Sequence, residues 1–406
     1  MFEVSNCDVC GTELSDRTLL GDFPIADDLS KTRQEAIERD LVPIAISLCE
    51  KCLTINQIIR LENQILFSET YHYRANLTAD VVEGMKSLLR EVNSILPLRN
   101  KKILDVGTND GSLLNLALDY EPSLTIGVEP TEAIQDNQCD RHIKYQEYFT
   151  KKIADKIIRE NGPLDVIIFT NVFAHIDPFS ELMAAVLSAM SDDTLLVIEN
   201  HYLGAVLANH QFDTFYHEHP RTYSLTSFNE IAERFNLRIE DASFPERYGG
   251  NIRVLLKKSN GGAKLSKKME DLLEEERVIL PTEYRQLLKS INDWKNEIIG
   301  TLAGLQSKSL PYFFRTLPAR SSILLGLLPE GLVRDIPVCE KHGSKKIGLF
   351  IPRTGNEVVD IESCPLLHAP NATCVNLSWH ISKEISADMQ RRGFTGDFLD
   401  ILSAEN

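Results

Sequence analysis

Residues 101–120 read KKILDVGTNDGSLLNLALDY, a short apolar run, a glycine-bounded turn and a helical pattern in immediate succession. Ile103 to Val106 predicts a buried strand, Gly107 to Gly111 a tight turn, and Leu113 to Leu118 the start of a helix. A second strand, TIGVEP, follows and ends at Glu129. This order confines the segment to a doubly wound α/β domain. There, glycines of the first turn let backbone approach a ligand, and an acid ending the second strand, about 20 residues on, accepts hydrogen bonds from ribose hydroxyls. The runs LDVIIFTNVFAH and TLLVIEN predict two more buried strands whose C-terminal ends border the same crevice. Asp105, Gly107, Asn109, Gly111, Glu129, Pro130 and Asn171 are the candidate cofactor contacts. The competing reading is a doubly wound domain with an ordinary tight turn. Upstream, Val81, Met85, Leu88, Leu89, Val92 and Leu96 recur at helical spacing and stop at Pro97, predicting an amphipathic helix packed on this domain.

The turn also discriminates between cofactors. A pyrophosphate needs close backbone approach at GxGxxG, whereas Gly107-Thr108-Asn109-Asp110-Gly111 carries a side chain where the second glycine would stand. Asn109 crowds a pyrophosphate but not an amino-acid moiety, whose carboxylate and ammonium suit polar side chains. S-adenosylmethionine is preferred over NAD.

The chain has 406 residues, enough for two or three domains. A formal net charge of −16 argues against a nucleic-acid partner, which needs a basic surface. No apolar run is long enough for a membrane span and MFEVSNCDVC lacks a signal-peptide pattern, so a soluble, cytoplasmic protein without a membrane partner is expected. Cys7-x-x-Cys10 and Cys49-x-x-Cys52 form two knuckles that can present four thiolates to zinc. A closed four-thiolate set leaves no open position, so the metal is expected to be structural. Four reduced cysteines in turns is the alternative. The stretch from Lys267 to about Leu305 is charged and helical and reads as a solvated helix pair. Beyond it, SSILLGLL, KKIGLFIP and ATCVNLSWHISKEI suggest alternating helices and strands, hence a second α/β domain without GxGxxG. The boundaries read 1–66, 67–258 and 259–406.

FYHEH, residues 215–219, concentrates two imidazoles, a carboxylate and a phenol where no apolar periodicity runs. A surface loop is one reading. A metal site is another, because His217 and His219 share a face of an extended chain, but no HExxH-like partner accompanies them.

Taken together, ILDVGTNDGSLL, GVEP, NVFAHIDP, FDTFYHEH, YGGNIRV and the paired CxxC knuckles resemble the sugar C-methyltransferases of deoxysugar biosynthesis, from Cys7 to about Arg253. The resemblance implies an N-terminal zinc module, a class I S-adenosylmethionine methyltransferase domain of Rossmann-like α/β fold, and a second, C-terminal Rossmann-like α/β domain. It implies a nucleotide-diphosphate keto-deoxysugar as substrate. Methylating carbon requires a carbanion, available next to a ketone, and hence a base with donors for the enolate oxygen. The resemblance assigns His219 as base and Glu218 as the group that orients or charges it. Tyr216 and His175 become donors to the ketone, with Tyr71 or Tyr73 reaching in from the entrance helix. His217 falls between matched positions. Asn251 and Arg253 are candidate substrate contacts. So are Arg320, where the family has a lysine after a glycine-rich turn, and Trp379, which precedes His380 instead of the family's asparagine. Two rivals remain: an O- or N-methyltransferase on a similar sugar, and a zinc-ribbon interaction protein with a degenerate methyltransferase fold.

Overall fold

The computed structural model describes residues 1–67, 74–75, 79–259 and 265–402. Its centre is a seven-stranded sheet in the spatial order 237–243, 251–258, 195–201, 166–170, 102–106, 124–128, 142–145. The five strands from 195–201 to 142–145 run parallel, and the last two in sequence close the sheet as an antiparallel hairpin. After Lys102–Val106 the chain winds outward to Leu124–Val128 and His142–Tyr145. It then returns to Val166–Thr170 on the other side. The resulting switch point opens a crevice at the carboxyl ends of the first strand and its neighbours, the place where open α/β sheets bind ligands. The helix Ala79–Ile95 packs its buried Val81, Met85, Leu88, Leu89 and Val92 against this sheet, as the spacing predicts.

The N-terminal segment forms an antiparallel sheet of Thr18–Phe23, Val42–Leu48 and Ile55–Gln57. Its fourth strand is Arg221–Thr222, donated from far along the chain and paired to Asn56 and Ile55. The knuckle residues Cys7, Val9, Cys49 and Cys52 share one core with the methyltransferase sheet and its helices. The cysteine module is therefore built into the middle domain, more closely than a boundary at residue 66 implies.

The last segment carries a five-stranded, wholly parallel sheet ordered 358–360, 338–340, 312–315, 373–376, 397–400. A second α/β domain is thus present. KKIGLFIP contributes no strand, and Phe350 makes only isolated bridges to Ser30 and Glu357. The expected helix pair is instead one helix, Lys267–Ser307, capped by the Ser266 side chain. Pro281 lies inside it without ending it. It is not solvated on all sides. Leu280, Tyr284, Leu287, Ile298 and Leu302 form a buried stripe that joins the N-terminal strands to the last domain in a common core. No described helix is long and apolar enough to cross a membrane.

Candidate active site

A cavity of about 610 Å³ runs from the crevice to the last domain and is walled by all three segments. At one end lie Asp105, Gly107, Asn109, Glu129, Pro130 and Asn171, six of the seven residues expected at the cofactor. Gly107 has φ +71°, and a Cβ there would meet the Val172 side chain at 2.5 Å, so glycine is required for this turn. Glu129 is oriented by donors on both carboxylate oxygens: the Asn109 N–H at 3.1 Å on Oε2, and the Thr131 N–H at 3.0 Å and hydroxyl at 2.7 Å on Oε1. Burial raises its pKa nonetheless. Burial also pushes Asp105 up to about 7 from its ordinary 3.8. Gly111 is the exception. It does not line the cavity, and its φ of +74° serves the N-terminus of the helix Ser112–Ala117, where a Cβ would strike Asn137 at 1.8 Å.

At the other end, FYHEH folds as a turn in which the His219 N–H donates to the Tyr216 carbonyl at 2.9 Å. Tyr216 and His219 line the cavity, whereas His217 and Glu218 do not. His217 Nε2 instead meets the Val42 carbonyl at 3.1 Å, tying the loop to the N-terminal sheet and removing the shared face a metal site would need.

His219 Nδ1 lies 2.7 Å from the Thr214 carbonyl. A carbonyl oxygen can only accept, so Nδ1 carries the proton and Nε2 keeps its lone pair. The Thr214 carbonyl thus orients the ring, a part the sequence reading gives to Glu218. Glu218 is buried (1% exposed), and its backbone contacts His175. The His219 ring lies 4.2 Å from Tyr216, 4.6 Å from His175 and 5.3 Å from His201, centroid to centroid. Burial, then the neighbouring His175 and His201, hold its pKa well below 6.5. Burial takes His175 down to about 4. Burial thus favours the neutral form of both rings.

The substrate-contact expectations divide. Arg320 lines the cavity and reaches Asp213 (3.3 Å), the Thr214 hydroxyl and His380 Nδ1 (3.4 Å). Trp379 does not line it: the indole N–H is spent on Asp213 at 2.8 Å, so this residue anchors the FYHEH loop to the last domain. Asn251 and Arg253 are fully buried behind the sheet end. Asn251 donates to Asn171 Oδ1 (3.2 Å) and Glu199 (3.1 Å), and Arg253 pairs with Glu199 and Glu91. They hold the wall and do not form it. Tyr71 and Tyr73 lie outside the described residues.

Among the lining residues to which the sequence reading gives no role are four basic ones, Arg247, His201, His380 and Lys346. Arg247 pairs with Glu199 at 2.9 Å and occupies the space left by Gly84, where a Cβ would stand 2.0 Å from its Nε. A glycine interrupting an otherwise regular amphipathic helix was its one available signal. His201 ends the strand Leu195–His201, His380 follows the strand Thr373–Asn376, and Lys346 pairs with Asp27 and donates to the Leu317 carbonyl at 2.7 Å. None of these three belongs to a local pattern.

The four knuckle sulfurs lie within 4.8 Å of one another, with Cys7–Cys52 and Cys10–Cys49 each at 3.4 Å. Tetrahedral zinc with bonds of about 2.3 Å separates thiolates by roughly 3.8 Å, so the set fits such an ion with little adjustment. Both knuckles close alike: the Gly11 N–H donates to the Cys7 carbonyl and the Leu53 N–H to the Cys49 carbonyl. Hydrogen bonds from Cys52 and Cys7 lower the pKa of the Cys49 thiol, while those of Cys7 and Cys52 are raised, so within the cluster Cys49 is the thiol that ionises first.

Comparison with known proteins agrees with this architecture. Residues 78–242 match the family model described as a methyltransferase domain, and residues 246–399 the one described as a C-methyltransferase C-terminal domain. The chain is an S-adenosylmethionine-dependent methyltransferase. More narrowly, it is of the C-methyltransferase type, similar to the C-methyltransferase NovU of Streptomyces niveus. The two are 25% identical over 390 residues, covering 94% of this chain and 91% of the relative. Two solved structures each cover 44% of this chain. Magnesium protoporphyrin IX methyltransferase from Synechocystis PCC 6803 is 13% identical, covering 44% of this chain and 84% of its own, at a TM-score of 0.35. An S-adenosylmethionine dependent methyltransferase from Mesorhizobium loti is 11% identical, covering 44% and 100%, at a TM-score of 0.34.

Two predictions test the cofactor end. Glu129→Ala should weaken S-adenosylhomocysteine binding about tenfold or more, since hydrogen bonds to a charged acceptor are worth roughly 1.5–3 kcal/mol. An unchanged dissociation constant in calorimetry removes Glu129 from the ribose site. The second concerns Asp105. Because its folded pKa is raised, its contribution to stability is present at low pH and lost as pH rises through about 7. A ligand bearing an ammonium group favours the ionised form, so S-adenosylhomocysteine affinity should tighten as pH rises through about 7, and Asp105→Asn should flatten the profile. The same profile in both proteins contradicts it.

Proposed function

We propose that this enzyme methylates the carbon alpha to the ketone of a nucleotide-diphosphate-linked 4-keto-6-deoxysugar, with His219 as the general base. The observation that carries the reading is the Thr214–His219 hydrogen bond, which leaves Nε2 as the one basic ring nitrogen of His219, in a ring that lines the cavity. Nε2 takes the alpha proton, and the electron pair of the broken C–H bond passes to the enolate, whose charge sits largely on the former ketone oxygen. Tyr216 and His175, beside His219, act as the donors to that oxygen, the latter as a neutral imidazole. Bound S-adenosylmethionine supplies an electrophilic methyl group for the enolate carbon, held through Glu129, Asn109 and the Gly107 turn. Burial of the site strengthens these interactions because little water competes for them.

The nucleotide end of the substrate falls to Arg320, with Lys346 and His380 nearby on the cavity wall. The match of residues 246–399 to a C-methyltransferase C-terminal domain favours carbon over oxygen or nitrogen as the acceptor. Cys7, Cys10, Cys49 and Cys52 bind one zinc ion with no part in the chemistry.

His219→Asn should lower kcat by about 10²- to 10⁴-fold with KM little changed, and should suppress exchange of the substrate's alpha proton in deuterated water without the methyl donor. Tyr216→Phe and His175→Asn should slow both steps less. Because the His219 pKa is held below 6.5, kcat/KM should show no loss through pH 6.5 attributable to this group. Exchange that survives in His219→Asn and vanishes in His175→Asn moves the base to His175.

Metal analysis of the purified protein should give one zinc per chain, lost together with the fold on chelation. Recovery of a folded but reversibly inactive chain after chelation would assign the metal to catalysis instead.

A further inference from the structure

The loops that carry His175 and His219 are joined to the first cysteine knuckle by a closed ring of charges. Asp8 stands between Cys7 and Cys10, and its Oδ2 accepts from Nη1 of Arg60 and Nη1 of Arg221, each at 2.6 Å. The same two nitrogens donate to Oδ1 of Asp177, at 3.0 Å and 2.6 Å. Both arginine side chains are buried, 3% exposed for Arg60 and 0% for Arg221. Two cations and two anions leave no net charge to desolvate, but each member depends on the others. Asp177 follows His175 by two positions and Arg221 follows His219 by two. Arg221 also donates to the Ile176 carbonyl and, through Nε, to the Tyr223 hydroxyl at 3.0 Å. One side chain therefore touches both catalytic loops and the knuckle.

Net stability does not explain such a ring well. Buried ion pairs replaced whole by apolar residues are often as stable, whereas loss of one member is costly because it strands the rest. What a ring of fixed forks supplies is geometry, and misplacing a catalytic group by about 1 Å can cost on the order of 10²-fold in rate. We propose that Asp8 and Arg221 are positioning residues, which set the spacing of His175 and His219 through Asp177 and so make the cysteine module part of the catalytic apparatus. The proposal rests on the reading of His219 as base.

The test uses the full zinc-bound chain. Asp8→Asn and Arg221→Lys should each lower kcat and alpha-proton exchange about tenfold or more, with S-adenosylhomocysteine affinity within about twofold and zinc retained. Asp8→Glu should recover part of the loss. If Asp8 acts through His219, the double variant Asp8→Asn/His219→Asn should exchange no more slowly than His219→Asn alone. Arg221→Lys keeps the charge and loses the fork, so it is the variant to read if Asp8→Asn does not fold. A variant with a lower melting temperature but unchanged kcat and exchange overturns the proposal, as do losses that multiply in the double variant. Failure of the base assignment is distinguishable, because His219→Asn alone would then keep its exchange.

Discussion

Residues 211–222 have almost no regular structure of their own, yet they carry the groups that line the cavity around His219, so their backbone must be held from outside. The hold comes from the first and last segments. The Gln57 N–H donates to the Pro220 carbonyl at 2.9 Å, and Gln57 Nε2 to the Tyr216 carbonyl at 2.6 Å. Arg221 pairs with Asn56 as a strand, His217 meets the Val42 carbonyl, and Trp379 and Arg320 both reach Asp213. With the loop fixed, the Thr214 carbonyl meets Nδ1 of His219 and determines its tautomer. A single backbone oxygen thus orients the ring without adding a charge to the cavity wall.

The cavity's electrostatics follow from this economy of charge. Lys346 stays protonated against burial because Asp27 faces it, Arg320 is matched by Asp213, and Arg247 by Glu199. The imidazoles of His175, His201, His219 and His380 are all held below their ordinary pKa, burial being the first cause in each. Such a site resists gaining protons until a substrate brings negative charge into it. That is the condition under which a neutral imidazole can act as base and its neighbours as donors.

Local pattern carried the sequence reading as far as local physics reaches. The turn after Lys102–Val106, the acid at Glu129 and the two cysteine knuckles are each defined by residues a few positions apart, and the structure assembles them as the spacing implies. The errors are long-range. Asn251 and Arg253 sit in a conspicuous motif, but their partners Glu199 and Glu91 lie on other elements, and only that pairing turns them away from the cavity. Trp379 meets Asp213 across a sequence separation of 166 residues, which no periodicity encodes. The helix Lys267–Ser307 runs unbroken through Pro281, although its mixed charges read as a solvated pair. Its buried stripe becomes visible only beside the strands it covers.

The claim on which this account depends is that His219 is held as a neutral imidazole with the proton on Nδ1 and the lone pair on Nε2. Nitrogen-15 NMR of histidine-labelled protein, with the His219 signals assigned by their loss in His219→Asn, reads tautomer and titration together. The account predicts a protonated Nδ1, a bare Nε2 and no protonation as pH falls through 6.5. An Nε2–H tautomer, or a titration centred near 6.5, would contradict it.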